Sequence, residues 1–271
     1  MPAPPFPPAI KRLGQNFLID PNIVRKIVAL AELTPDRTVL EIGPGRGILT
    51  EALSQAAGHV VAVEIDPALH RLLEARQTDW ANVELVCGDA LVYPVEQLPT
   101  GTVVVANLPY YISTPLLFRL LDCRTRFSRM VLMLQDEVAD RLVASPGSSD
   151  YGVLSVMAQY AAHITKAFKV SAHCFRPRPA VSSAVVLLRA KESTALQPEE
   201  EPAFGALVKA SFAHRRKTLV NSLRDEGYDH QLIVRTLTEM EISPTIRAET
   251  LALDQFLALT KRLNGDSSRL N

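Results

Sequence analysis

Between residues 38 and 135 the chain carries five short runs that are apolar on both faces. They are Val39–Ile42, Val60–Val63, Val83–Val86, Val103–Ala106 and Met130–Leu134. A strand with one wet face alternates apolar and polar residues, whereas runs that are apolar throughout belong in a sheet covered on both sides. The intervening segments, such as Ile48 to Ala57 and Pro67 to Arg76, are amphipathic with helical spacing. Parallel strands need long crossover connections, and helices supply them. The pattern predicts an α/β domain built on a doubly wound, mostly parallel sheet.

Beyond residue 135 the texture changes. Ile164–Val170 and Ala184–Leu188 are two more strand candidates, separated by the proline-rich Phe175-Arg-Pro-Arg-Pro-Ala. No helix fits in that gap, so this pair is expected to enter the sheet antiparallel, as a long hairpin. Residues 191–202 are polar and acidic and read as a linker. From Ala203 the periodicity is helical, with further helix starts near Asp229, Ser243 and Leu253. The expected organisation is an extended tail over 1–10, an α/β domain over 11–190, the linker 191–202, and a small all-α domain over 203–271. Pro115 to Leu121 is expected to form a helix just after the fourth run. No apolar run is long enough to span a bilayer. Cys87, Cys123 and Cys174 lack the paired spacing of a zinc or redox site, so no metal is expected, and a reducing, cytoplasmic setting is.

Glu41-Ile-Gly43-Pro-Gly45-Arg-Gly47 follows the first run and precedes a helix. Glycines at such a turn let a ligand approach the backbone at the carboxyl edge of the sheet, where doubly wound folds bind nucleotides. The spacing E-x-G-x-G-x-G differs from the dinucleotide fingerprint G-x-G-x-x-G. Glu64, ending the second run, suits a ribose hydroxyl in either case. Asp89, after the third, could accept from an adenine amino group. Together the three strand ends favour S-adenosylmethionine over a dinucleotide.

Asn107-Leu108-Pro109-Tyr110 ends the fourth run at the same edge. The amino nitrogen of adenine is a poor nucleophile because its lone pair is delocalised into the ring. Two acceptors holding its N–H hydrogens would favour the more tetrahedral form as a methyl group arrives. The Asn107 side-chain oxygen and the Leu108 carbonyl are the residues for this, with Pro109 stiffening the turn. Tyr110 is expected to stack on an extruded base, and Phe175 to cover its other face.

Charge is balanced overall, with 29 Lys plus Arg against 29 Asp plus Glu. Distribution says more: from Ala203 to Leu223 there is no acidic residue, while Lys209, Arg215, Arg216 and Lys217 are present. That segment is a candidate surface for nucleic acid.

In this order the residues resemble the ribosomal RNA adenine dimethyltransferase family, and especially its bacterial small-subunit branch, nearly end to end. Gly14-Gln-Asn16-Phe-Leu18, Leu40 to Gly47, Glu64-Ile65-Asp66 and Gly88-Asp89-Ala90 are similar to its cofactor motifs. The resemblance implies a Rossmann-like methyltransferase sheet with a small helical domain. It implies that Asn16, Leu18, Gly43, Gly45, Glu64, Ile65, Asp89, Ala90 and Asn107 bind S-adenosylmethionine. Phe175-Arg-Pro-Arg-Pro-Ala-Val-Ser-Ser183 resembles the target-side loop. Phe212 to Leu219 and Arg247 to Leu251 resemble small-subunit enzymes, as does Leu108, where large-subunit methylases usually carry Ile. The implied reaction is dimethylation of two adjacent adenosines near the 3′ end of small-subunit RNA, by a monomer acting on an assembling 30S particle. The competing readings are a non-catalytic assembly checkpoint factor and an adenine methylase of large-subunit RNA or DNA. Asp136 stands where many relatives carry Lys, and Leu13 where an aromatic is common, so a phosphate contact at position 136 is not expected.

Overall fold

A computed structural model describes residues 7–10 and 13–267. Of the tail expected over 1–10, residues 1–6 lie outside the described set. Ile10 is held by its N–H donating to Gln15 Oε1 at 2.7 Å. The chain divides into two compact units, one of residues 1–139 and 162–190, the other of 140–161 and 191–271.

The first unit is built on a seven-stranded sheet. Its strands are β2 (Thr38–Ile42), β3 (His59–Glu64), β4 (Val83–Cys87), β5 (Thr102–Asn107), β6 (Phe127–Gln135), β7 (Ala162–Val170) and β9 (Ser183–Ala190), in the order β4-β3-β2-β5-β6-β9-β7. All five runs read from the sequence are parallel strands. As expected, the last two strands pair antiparallel, and β9 lies antiparallel against β6. The first unit's helices include α1 (Pro21–Ala31), α2 (Ile48–Ala56), α3 (Pro67–Glu74) and α4 (Ser113–Asp122). Asp20 and Asp66 cap α1 and α3 through their carboxylates, and each helix has proline in its first turn, where the missing N–H is harmless. The strand order reverses between β2 and β5, which opens a crevice at their carboxyl ends.

One further pairing had no signal in the sequence. Two-residue strands β1 (Phe17–Leu18) and β8 (Phe175–Arg176) form their own antiparallel ladder, Leu18 opposite Phe175. It joins the N-terminal segment to the proline-rich segment across most of the domain's sequence.

The second unit is helical, with α6 (Val153–Ala161), α7 (Glu201–Phe212), α8 (Leu219–Asp225), α9 (His230–Glu239) and α10 (Leu253–Ser267). Helix α5 (Asp136–Val143) runs across the boundary between the two sets of residues. The sequence places 140–161 in the α/β domain, but packing assigns them to the helical unit. Tyr160 of α6 lies 4.7 Å from the Phe204 ring, and Tyr151 and Val156 join the same core. Local periodicity marks a buried face without saying which core receives it. The expected linker also contributes Leu196, 3% exposed, to that core. Asp229 caps α9 and a helix begins at Leu253, as expected. The helix expected near Ser243 is instead a turn followed by a single 3-10 turn at Ala248–Thr250. Leu219 N–H takes the Ile246 carbonyl at 2.8 Å, so that acceptor serves a tertiary contact instead of a helix. No helix among the described residues is long and apolar enough to cross a membrane.

Candidate active site

The carboxyl ends of β2, β3, β4 and β5 meet the N-terminal segment around a cleft of about 660 Å³, open to solvent. It is lined by Asn16, Gly43, Gly45, Glu64, Ile65, Asp89, Ala90, Asn107, Leu108, Pro109 and Tyr110, residues drawn from five separate stretches of sequence. Leu18 lies outside this lining. It borders an adjoining recess together with Phe17, Glu41, Gly43, Gly45 and Asn107.

The glycine turn is shaped by steric need. Gly45 sits at φ +59°, and a Cβ there would come within 3.0 Å of the Phe17 ring, over which the Arg46 guanidinium stacks at 4.4 Å. Gly47, the N-cap of α2, has φ +80°, and a Cβ would lie 2.8 Å from Trp80. The turn is also held by Glu64, which is 4% exposed. Its two oxygens accept from Gly45 N–H at 3.0 Å and Asp66 N–H at 2.9 Å. Burial raises the Glu64 pKa, and these N–H donors oppose the rise. Each carboxylate oxygen retains a further lone pair for a ribose hydroxyl. Asp89 accepts from Leu91 N–H through Oδ1 at 2.9 Å, leaving Oδ2 to a ligand.

Glu41 lies on β2, is 1% exposed, and neither oxygen has a hydrogen-bond partner among the described residues. Desolvation pushes its pKa up to about 8; the nearby Thr50 hydroxyl eases this and the Glu64 charge adds to it. A buried, unpaired carboxyl beside a glycine turn is suited to a cationic ligand group such as an ammonium. With Glu64 and Asp89 at neighbouring strand ends, the residues present fit S-adenosylmethionine.

At β5, the Asn107 Nδ2 donates to the Asn16 carbonyl at 3.1 Å. An amide whose NH₂ end is committed to a backbone carbonyl has its oxygen end defined as well. The Asn16 side chain in turn donates to the Gly14 carbonyl at 3.0 Å, and Gln15 donates to the Asp66 carboxylate at 2.9 Å. The N-terminal motif is therefore tied to β5 and to the β3–α3 junction at once. Leu108 N–H donates to Met133 O on β6 at 2.9 Å, fixing the turn. The Tyr110 hydroxyl pairs with Ser183 Oγ at 2.7 Å, and burial raises its pKa.

Phe175 departs from its expected place. It is 2% exposed and packed in the core with Leu18, Val170 and Val185, away from the cleft lining. Pairing β8 with β1 turns its ring inward, so the second face of a stacked base is not supplied by this residue in the structure. The α4 leucines 116, 117, 120 and 121 are likewise core. Asp136 is held by Lys166 at 2.6 Å and Lys169 at 3.0 Å, which keep its carboxyl below the usual range despite burial.

In the helical unit, Lys209, Arg215, Arg216 and Lys217 are all exposed. The acid-free stretch is nevertheless partly neutralised in space. Lys217 and Arg224 both pair with Asp225, holding its pKa down to about 2, and His214 lies 3.4 Å from Glu226. Arg215 donates to the Ser149 carbonyl at 3.2 Å, a neutral acceptor.

The model of the ribosomal RNA adenine dimethylase family matches residues 9–265. The chain belongs to this family. Its relatives include the ribosomal RNA small subunit methyltransferase A of Moorella thermoacetica, 44% identical over 93% of this chain and 92% of the relative. The protein of the same name in a Geobacillus species is also 44% identical, over 93% and 91%. Among solved structures, a dimethyladenosine transferase from Plasmodium falciparum has a TM-score of 0.82 at 29% identity, covering 93% of this chain and 98% of that one. The 23S rRNA methyltransferase ErmE has a TM-score of 0.71 at 28% identity, covering 92% and 100%. The chain is thus a methyltransferase of the Rossmann-like class, with S-adenosylmethionine as its cofactor.

Sequence reasoning placed Glu41, Gln15 and Ser183 inside its motifs but gave none of them a contact or role of its own. Glu41 had a signal, a lone acid in an apolar strand. Gln15 and Ser183 had none, since their partners, Asp66 and Tyr110, are 51 and 73 residues away.

Proposed function

We propose that this chain transfers methyl groups from S-adenosylmethionine to the N6 amines of two adjacent adenosines near the 3′ end of small-subunit ribosomal RNA. It would act as a monomer on an assembling 30S particle. The observation that carries the chemistry is the Asn107 amide, oriented by its bond to the Asn16 carbonyl at the wall of the cleft. The choice of RNA rests on the 44% identity to small-subunit methyltransferases, against 28% for the large-subunit enzyme.

In this reading Glu64 takes the ribose hydroxyls, Asp89 the adenine amine and Glu41 the ammonium of the cofactor. Gly43 and Gly45 admit its chain close to the backbone. Asn16, Ile65 and Ala90 form walls, and Leu18 backs the neighbouring recess. S-adenosylmethionine supplies an electrophilic methyl group. Asn107 Oδ1 and the Leu108 carbonyl accept the two N–H hydrogens of the target amine and draw its lone pair out of conjugation. Pro109 restricts the turn, and Tyr110, fixed by Ser183, packs against the base. No strong base is needed, because the proton leaves a nitrogen already made cationic by the transfer. Rate comes from positioning and electrostatics. Lys209, Arg215 and Arg216 contact RNA phosphates, while Lys217 contributes less because Asp225 already holds it.

Tritiated methyl transfer tests this with three substrates: small subunits lacking the modification, large-subunit RNA and duplex DNA. Label in neighbouring adenosines of the small-subunit RNA is expected. Label only in large-subunit RNA or DNA overturns the substrate, and no label in any of them overturns the enzyme reading.

A further inference from the structure

Gln15 lines the cleft, and both ends of its side chain are committed. Its Oε1 accepts from the Ile10 N–H at 2.7 Å, and its Nε2 donates to Asp66 Oδ2 at 2.9 Å. The amide can sit only one way round, because an N–H needs an acceptor and a carboxylate needs a donor. Asp66 is 4% exposed, and its other oxygen caps α3 by accepting from the Ala68 N–H at 2.9 Å. The Asp66 N–H donates to Glu64 Oε1, on the carboxylate assigned to the ribose hydroxyls. Residues 13–17 form one wall of the cleft. That wall is fastened to the end of β3 by Gln15, and to the end of β5 by the bond from Asn107 to the Asn16 carbonyl. Leu13 N–H donates back to the Ile10 carbonyl at 3.0 Å, so both main-chain groups of Ile10 are bonded within the segment.

The two fastenings have separable consequences. Loss of the Asn107 bond frees the amide that takes the target amine, whereas loss of the Gln15 bond frees the wall at the ribose end. We infer that Gln15 is a positioning residue for S-adenosylmethionine, latching the N-terminal wall of the cleft against the strand end that receives the ribose. This rests on the reading above in which Glu64 takes the ribose hydroxyls. A hydrogen bond to a charged group is among the stronger ones a protein makes. A wall held in place beforehand also spares binding the cost of ordering it. The latch therefore acts on cofactor affinity, while the Asn16 carbonyl continues to orient Asn107 for the transfer.

The test removes the latch and then reverses its polarity in the full-length chain. Gln15→Ala removes it. Gln15→Glu keeps the acceptor for Ile10 but sets a second carboxylate against Asp66. Adding Asp66→Asn to Gln15→Glu restores a donor facing an acceptor, keeps an oxygen to cap α3, and leaves the net charge of the pair as in wild type. Calorimetry with S-adenosylmethionine is run at mildly alkaline pH, so that two facing carboxylates do not share a proton. Gln15→Ala should raise the Kd by about 10- to 100-fold and Gln15→Glu by more, with the double variant recovering most of the loss. Melting of the cofactor-free protein, and kcat at saturating cofactor, should stay close to wild type in Gln15→Ala. Three results overturn the inference: unchanged affinity in Gln15→Ala, a double variant no better than Gln15→Glu, or kcat falling in step with affinity. Glu64→Gln is the control, and unchanged cofactor affinity there refutes the ribose assignment itself, a failure distinct from that of the latch.

Discussion

The two ends of one amide divide the work at Asn107. Its Nδ2 holds the N-terminal segment through the Asn16 carbonyl, and its Oδ1 is the acceptor proposed for the target amine. Asn107→Ala should reduce transfer by about 10²- to 10³-fold, the scale for losing one preorganised hydrogen-bonding group. Asn107→Asp keeps an acceptor but sets a carboxylate against the Asn16 carbonyl, so calorimetry should show weaker cofactor binding by about 10-fold. Equal cofactor affinity in Asp and wild type would show that the loop does not depend on this bond. Ser183→Ala removes the Tyr110 hydroxyl's partner and should lower kcat several-fold while leaving the cofactor KM unchanged. Glu41 carries a pH signature. Its folded pKa, about 8, lies above the ordinary carboxylate value near 4.5, so the unfolded chain loses that proton first. Its contribution to stability therefore falls as pH rises from about 4.5 to 8 and is flat above. In urea melts of the cofactor-free protein, Glu41→Gln should gain on wild type across that window. A gap independent of pH would mean that Glu41 titrates normally.

At the scale of the element, helix α2 begins without a side-chain cap, at a glycine in the left-handed region with Trp80 and Leu73 packed against it. Gly47→Ala combines an unfavourable φ with a Cβ inside contact distance of both neighbours. A loss of about 2 kcal/mol or more is expected in denaturant melts, along with weaker cofactor binding, because α2 opens directly from the glycine turn. Gly88→Ala is the control, since nothing lies near its added Cβ. Comparable losses at the two positions would refute the steric account. The β1–β8 ladder is the other element that matters to the site, because it sets the N-terminal motif in place and turns Phe175 into the core.

For the whole molecule, a charge sum of zero hides an uneven distribution. Arg215 and Arg216 are exposed, whereas Lys217 shares Asp225 with Arg224. Each phosphate contact adds about 0.7 to the slope of log affinity against log salt for single strands. The double variant Arg215→Ala, Arg216→Ala should flatten that slope by up to about 1.4, and Lys217→Ala by clearly less. Salt titrations of particle binding read this directly; an equal effect from Lys217→Ala would show that its ion pair opens on RNA.

The sequence by itself determined the sheet, because runs apolar on both faces have no other stable home. It also determined the chemical types at four strand ends, since strand-to-helix turns fix which residues reach the carboxyl edge. Tertiary structure decided what those residues touch. It gave Asn107 an orienting carbonyl from residue 16, gave Tyr110 an anchor from residue 183, and drew Phe175 into the core. It moved residues 140–161 into the helical unit and closed Asp225 on the basic segment. The physical reason is the same each time. Periodicity and turn chemistry act over a few neighbouring residues, whereas a hydrogen bond, an ion pair or a shared core needs a partner that only the folded chain brings near.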